Sequence, residues 1–359
     1  MARRGVLGGP RGLRPSGLQH RGADRAGAVV QVAAPLRTGI WFAGGQTVGE
    51  MADLSEAAER RGVDSVWIAE SLLARDAFVA LTAIAVSTER VLLGTGIVNP
   101  YTRHPSQLAA SFSTLDDASG GRALCGIGIG ARDGIASLGF DTSRPLAAAR
   151  ESVELIRSLL AREAPEHHGR KFTSDGARLG FKPDREELPV YLAATGPKMC
   201  ALAGEIADGI YLPCGSEQFL RGAIGQSMER RDPGKMFDVA CQALVSVDED
   251  AEAAAARVRP TLGFILTEPN AEKVLESNGL DPAGAQPIRD ALGEGGVRAM
   301  SAAIGDDIVD ALAIAGPPDR CLARLRAMVA CGVTHPQASL LGGDPDQLFD
   351  VLAKLKEEA

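Results

Sequence analysis

The feature that most constrains this chain is a repeated unit: a short apolar strand ending in glycine, then a helix, then another such strand. It is clearest over residues 90–130. Val91–Leu93 is an apolar run of the kind buried on both faces of a parallel sheet, and it ends in Gly94-Thr95-Gly96. Ser106–Ser119 has helical spacing, with Leu108, Phe112 and Leu115 on one face, and Gly120-Gly121 closes it. Ala123–Ile129 is a second buried strand carrying Gly126 and Gly128, with Gly130 just beyond. Glycine lets the backbone approach a ligand or take a tight turn. On either reading, two glycine loops lie at the same end of a parallel sheet, where they would share one site.

The rhythm continues along the chain. Strands are predicted over Arg37–Ala43, Asp64–Ala69, Pro189–Ala194, Gly209–Leu212, Phe237–Val247 and Val333–Leu340, with helices between them. Thr47-Val-Gly-Glu50 is a capping-box pattern that opens the first helix. Glu163–Leu188 breaks the rhythm, and its polar run over 171–180 predicts a hairpin-like excursion over the mouth of a barrel. Thr267–Gly316 holds more short helices than a simple connection requires. About eight units imply a (β/α)₈ TIM barrel with an insertion between strands 4 and 5 and an enlarged region after strand 7. Gly126-Ile-Gly-Ile-Gly-Ala131 fits the dinucleotide fingerprint. It follows the fourth strand rather than the first, and no acidic strand end comes about 20 residues later, so a Rossmann sheet is set aside.

Charge is uneven. The first 37 residues hold seven Arg and one Asp, so in a chain of net charge −8 the remainder carries −14. An acidic body argues against a nucleic-acid partner. Residues 1–36 lack periodicity and read as a disordered basic tail or a start set too far upstream, with a targeting leader ranked below these; residues 37–359 form the barrel domain. No apolar run reaches the roughly 18 residues of a membrane helix, so no membrane is expected. The six Cys are scattered without metal-ligand spacing. They read as inert thiols of a reducing cytoplasm, and no metal site is expected.

From about Arg37 to Glu357 the chain resembles the luciferase-like monooxygenase superfamily, and within it the F420-dependent methylenetetrahydromethanopterin reductase branch. The resemblance rests on Gly94-Thr-Gly-Ile-Val-Asn-Pro-Tyr-Thr-Arg-His-Pro105, Thr114-Leu-Asp-Asp-Ala-Ser-Gly-Gly-Arg122, Gly126-Ile-Gly-Ile-Gly130, Gly196-Pro197 with Ala203-Gly-Glu-Ile-Ala-Asp-Gly209, and Gly316-Pro-Pro-Asp319. It implies coenzyme F420, or alternatively FMN, at the barrel mouth, with a non-prolyl cis peptide at Gly96-Ile97 backing the central ring. Asn99, Arg103 and His104 fall on the loop beyond, and Gly128 on the neighbouring one. His104 reads either as a catalyst or as a loop hydrogen-bonding residue. Glu70, at the end of the second strand, is either a cofactor neighbour or a solvated carboxylate. Thr195, Gly196, Pro197 and Lys198 precede a helix whose free N–H groups suit a phosphate, or they simply start that helix.

Two positions depart from the branch. Its first-strand Glu, held to be the proton donor, is replaced by Trp41, whose indole cannot exchange a proton at neutral pH. Its acidic residue after the fourth-strand glycines is Ala131, followed by Arg132-Asp133. The reading is therefore an F420-dependent oxidoreductase passing hydride to or from an unidentified small organic substrate, with Trp41 as an apolar wall. The alternatives are an FMN-dependent monooxygenase using O₂, a methylenetetrahydromethanopterin reductase-like activity, and a non-catalytic F420-binding protein. The family habit favours a homodimer or larger homo-oligomer.

Overall fold

The computed structural model describes residues 34–357. The basic leader thus lies outside the described residues except for its last three, of which Ala34 is buried and Leu36 packs on the outer core. In chain order the strands are β1 (Gly39–Phe42), β2 (Ser65–Ile68), β3 (Leu92–Thr95), β4 (Ala123–Ile127), β5 (Glu166–His168), β6 (Thr173–Asp175), β7 (Val190–Ala193), β8 (Gly209–Pro213), β9 (Asp238–Ala243), β10 (Val245–Val247), β11 (Ile314–Gly316) and β12 (His335–Ser339). The parallel strands β1-β12-β9-β8-β7-β4-β3-β2 close a barrel in that order, and helices cover its outside. This is the expected (β/α)₈ architecture.

Several elements sit where the sequence places them. Thr47 and Glu50 form the reciprocal cap of the helix Val48–Arg60, and Gly120, at φ 66°, ends the helix Pro105–Ser119. The insertion is an antiparallel hairpin, β5 with β6, centred earlier than residues 171–180. Its turn is set by Glu151, whose carboxylate accepts the N–H groups of Arg170, Lys171 and Phe172 at 2.8–2.9 Å. The strand expected over Phe237–Val247 is two strands. Trp41 Nε1 donates to Ala243 O and Ser339 Oγ takes both polar groups of Val245, so the ladder breaks after Ala243. β10 then leaves the barrel to pair with β11, which returns from the enlarged helical region. The short helix Arg132–Ser137 has no periodic signal in the sequence.

Strand register decides what fills the lumen. Inward side chains from alternate strands stack in layers, as in other barrels of this class. Trp67, Gly126, Tyr211 and Gln337 form one layer, and Trp41, Gly96, Ala193 and Gln242 the next one toward the mouth. Trp67 lies 5.2 Å from both Tyr191 and Tyr211, ring centre to ring centre. Three large rings leave no room opposite: a Cβ on Gly94 would fall 2.3 Å from the Trp67 ring, and one on Gly126 1.7 Å from Thr95 O. These glycines, which resemble ligand-approach loops in the sequence, are required by the packing of the lumen.

Below the rings, the N-terminal end is closed by paired polar groups. Trp67 Nε1 donates to Ser65 Oγ at 2.9 Å, Ser65 Oγ meets His335 Nε2 at 2.7 Å, and His335 Nδ1 meets Asp238 Oδ2 at 3.2 Å. Tyr191 and Thr334 hydroxyls also donate to Asp238. Burial pushes the Asp238 carboxyl up, but His335 and the two hydroxyls outweigh it and hold it at about 2.

Three outcomes are expected. Gly126→Ala should cost at least about 3 kcal/mol or abolish folding, because the clash is with backbone. Gly49→Ala, in an exposed helix where a Cβ meets nothing within 4 Å, should gain about 0.5–1 kcal/mol by chemical denaturation. Because the folded Asp238 value lies below the unfolded one, its stabilisation is present above the ordinary carboxylate range and is lost as pH falls toward about 2. Asp238→Asn should flatten that part of an acid-unfolding curve; an unaltered curve would contradict the assignment.

Candidate functional site

The C-terminal ends of the barrel strands carry the candidate site, and the first element there is the loop after β3. The Gly96–Ile97 peptide is cis, where the resemblance places it. Gly96 is buried while Ile97 is half-exposed. Gly128 packs beneath: a Cβ there would fall 2.8 Å from Ala193 Cβ and 2.9 Å from Ile97 Cγ1. Gly96, Ile97 and Gly128 therefore come together, next to the small side chain of Ala193. Asn99 is buried, and its Oδ1 accepts from Tyr101 N–H and Thr102 N–H at 3.0 Å each, which fixes the turn beyond the cis bond.

Glu70 leaves the end of β2 and pairs with Arg103 from that turn. Arg103 also pairs with Asp76, the residue that caps the helix Ala77–Ser87 through Phe78 N–H and Val79 N–H. The guanidinium lies 5.4 Å from the Phe78 ring. The second carboxylate oxygen of Glu70, Oε2, is buried with no hydrogen-bond partner among the described residues. Burial raises the Glu70 carboxyl above the ordinary range despite Arg103. It is not the solvated carboxylate that the sequence alone leaves open.

His104 is occupied differently. Its Nδ1 accepts Ser106 N–H at 3.2 Å as the N-cap of the helix Pro105–Ser119, and its ring meets Phe172 of the inserted hairpin edge-on at 5.5 Å. Burial lowers its pKa. These contacts give it a capping and docking role and leave catalysis without support from its geometry. Trp41 lines the lumen with its N–H spent on Ala243, so it presents an apolar face.

Across the mouth, Gly196 caps the helix Pro197–Ile206 with no side-chain hydrogen bond. Thr195, Pro197 and Lys198 are exposed, and a Cβ on Gly196 would meet nothing within 4 Å. The fold does not need glycine at 196, so its reason must be sought outside the fold. The run Thr114–Arg122, in contrast, is explained by structure. Asp116 takes Ala123 N–H and the Arg185 guanidinium, and buried Arg122 donates to Ala85, Thr88, Val91 and Ser119. A cleft of about 380 Å³ opens elsewhere, lined by Arg37, Glu59, Asp64, Arg90 and Lys356. Lys356 already pairs with Asp64, and Glu59 with backbone N–H groups of 89–91, so it offers no free recognition group.

The sequence and the barrel have parallels among known proteins. A luciferase-like monooxygenase family model matches residues 29–335. The chain belongs to that family. It is 35% identical over 323 residues to the 5,10-methylenetetrahydromethanopterin reductase of Methanolobus tindarius, covering 88% of this chain and 98% of the relative. It is 32% identical over 226 residues to the F420-dependent glucose-6-phosphate dehydrogenase of Nakamurella multipartita, covering 57% of this chain and 66% of the relative. The structure of the coenzyme F420 dependent tetrahydromethanopterin reductase from Methanopyrus kandleri superposes with a TM-score of 0.81 at 28% identity, covering 89% of this chain and 98% of that one.

Sequence reasoning reaches the loop glycines but not Tyr211, Gln242 or Gln337. The one signal for Gln242 and Gln337 is inward polar alternation on β9 and β12, which shows only once the register is known. Replacing Arg103 by Gln should strip Glu70 of its cation, raise its carboxyl further and cost about 1–3 kcal/mol. Carboxyl-resolved NMR titration and denaturant unfolding check both; a Glu70 carboxyl that titrates unchanged would contradict the pairing.

Proposed function

We infer that this protein is an F420-dependent oxidoreductase that binds the deazaflavin at the C-terminal mouth and exchanges hydride with a small organic substrate. The observation that carries this reading is the mouth itself: the cis Gly96–Ile97 bulge, floored by Gly128 and Ala193, opposite a helix start whose glycine has no structural need. The residues fit such a cofactor. Small side chains at 96, 128 and 193 leave a flat wall, and Gly196 with Lys198 offers a helix N-terminus and a cation to the anionic tail. The printed names of the Nakamurella multipartita dehydrogenase and of the Methanopyrus kandleri reductase structure include F420, which supports that cofactor.

When bound, the deazaflavin supplies a hydride-transferring carbon, and the chain supplies position and environment. Ile97 backs the ring, and Trp41 with its N–H withdrawn offers an apolar wall that excludes water. Glu70 is the group that can hold a proton, at its unpaired Oε2, because burial keeps its carboxyl raised. That assignment moves the proton from the first strand of the reductase branch to the second, consistent with Trp41 standing where that branch has Glu. Asp133 is exposed in the first turn of its short helix. The substrate is expected to differ from a methylene pterin, and the protein to act in the cytoplasm as a homo-oligomer.

A fluorescence titration against F420 and FMN tests this. Micromolar F420 binding without FMN binding is expected, and the reverse result would overturn the reading. Gly196→Val should fold with only a small loss of thermal stability, since valine is a poorer N-cap than glycine, and bind F420 at least tenfold more weakly; unaltered affinity would remove the phosphate assignment.

A further inference from the structure

Polar groups inside the barrel fall into two sets. At the N-terminal end Trp67 Nε1, Ser65, His335, Asp238 and Tyr191 are linked in that order in one hydrogen-bonded chain. One layer higher, just beneath the floor of the mouth, the hydroxyl of Tyr211 and both amide atoms of Gln337 are buried with no hydrogen-bond partner among the described residues. Tyr211 is 4% exposed and Gln337 is fully buried. Leaving such groups unpaired is costly, and native interiors keep them so where something else completes them.

The direction of the Tyr211 hydroxyl is known from its neighbour. A Cβ built on Gly96 would lie 2.4 Å from Tyr211 Oη and 3.0 Å from Cζ, so the phenol points at the residue that starts the cis bulge. The layer between it and the mouth offers only Gly96 and Ala193 on that side, with the bulkier Trp41 and Gln242 on the other. The phenol, itself sealed from solvent, therefore faces the side of that layer with the least side-chain bulk, beside the residue that precedes Ile97. Tyr191 provides the contrast. It is a second lumen phenol against the same Trp67 ring, yet its hydroxyl is spent on Asp238 at 2.8 Å.

We propose that Tyr211 orients the bound cofactor, donating a hydrogen bond from inside the barrel, past the side-chain-free Gly96, to an acceptor atom on a ring that would rest over Ile97. This rests on the deazaflavin reading of the mouth. Burial keeps the phenol neutral well beyond physiological pH, so it acts as a donor and not as an acid. The donor lies in the barrel wall, preorganised before the ligand arrives.

The test compares Tyr211→Phe with Tyr191→Phe, using the free protein and F420 as probe. Tyr211→Phe should leave the melting temperature unchanged or raised, because it removes an unpaired buried hydroxyl. It should also weaken F420 binding at least fivefold and shift the absorption band of the bound deazaflavin. Tyr191→Phe should lower the melting temperature and leave F420 affinity and spectrum as in the wild type. Wild-type binding with no change in Tyr211→Phe would overturn this proposal alone. A wild type that does not bind F420 would overturn the functional reading beneath it. A Tyr211→Phe melting temperature lowered by several degrees would show the hydroxyl to be paired within the protein, and would also overturn the proposal.

Discussion

The indole of Trp67 in the centre of the lumen is the constraint on which the rest depends. A ring of that size, wedged against Tyr191 and Tyr211, dictates which strands can carry side chains around it. Gly94 is the direct consequence, and Gly126 answers to the Thr95 backbone of the strand beside it. Their absence of bulk lets β3 and β4 approach closely enough for Thr95 Oγ to reach Gly126 O at 2.6 Å. That tight pair of strands carries the loop that turns into the cis bond and its floor at Gly128. Core packing and site geometry are thus one arrangement seen from two ends.

The polar groups divide along the same axis. Toward the N-terminal end, every donor and acceptor around Asp238 serves the closure of the barrel, and Arg122, Asp116 and Glu151 do comparable work outside it, holding loops and turns. Toward the mouth the accounting is left incomplete at Glu70, Tyr211 and Gln337. In barrels of this class, ligands meet the C-terminal face, and the division fits that polarity.

Much of this was legible before any coordinates. The alternation of glycine-ended strands and amphipathic helices predicts the barrel, because a parallel strand buried on both faces has a short, apolar and unmistakable pattern. The Thr47–Glu50 cap and the Gly120 terminator are local chemistry, so they are read locally. Three things were not legible. β10 departs from β9 because Trp41 and Ser339, 202 and 94 residues away in sequence from the groups they bind, capture backbone atoms there. The hairpin turn is set by Glu151 from a helix, which no turn motif announces. The glycines of 94–128 looked uniform, yet Gly94 and Gly126 answer to Trp67 and to Thr95 backbone, while Gly96 and Gly128 also shape the mouth. Only the register separates these roles. His104 shows the opposite case, a residue type suggestive of catalysis whose ring is used to cap a helix.

The central claim is that the cis bulge at Gly96–Ile97 is the wall against which a deazaflavin rests. The most direct measurement is a crystal structure of the protein with F420 bound. The account predicts the ring stacked on Ile97, an acceptor atom within hydrogen-bond distance of Tyr211 Oη, and the phosphate at the start of the helix Pro197–Ile206. A ring lodged elsewhere on the barrel, or with its face turned away from Ile97, would contradict it.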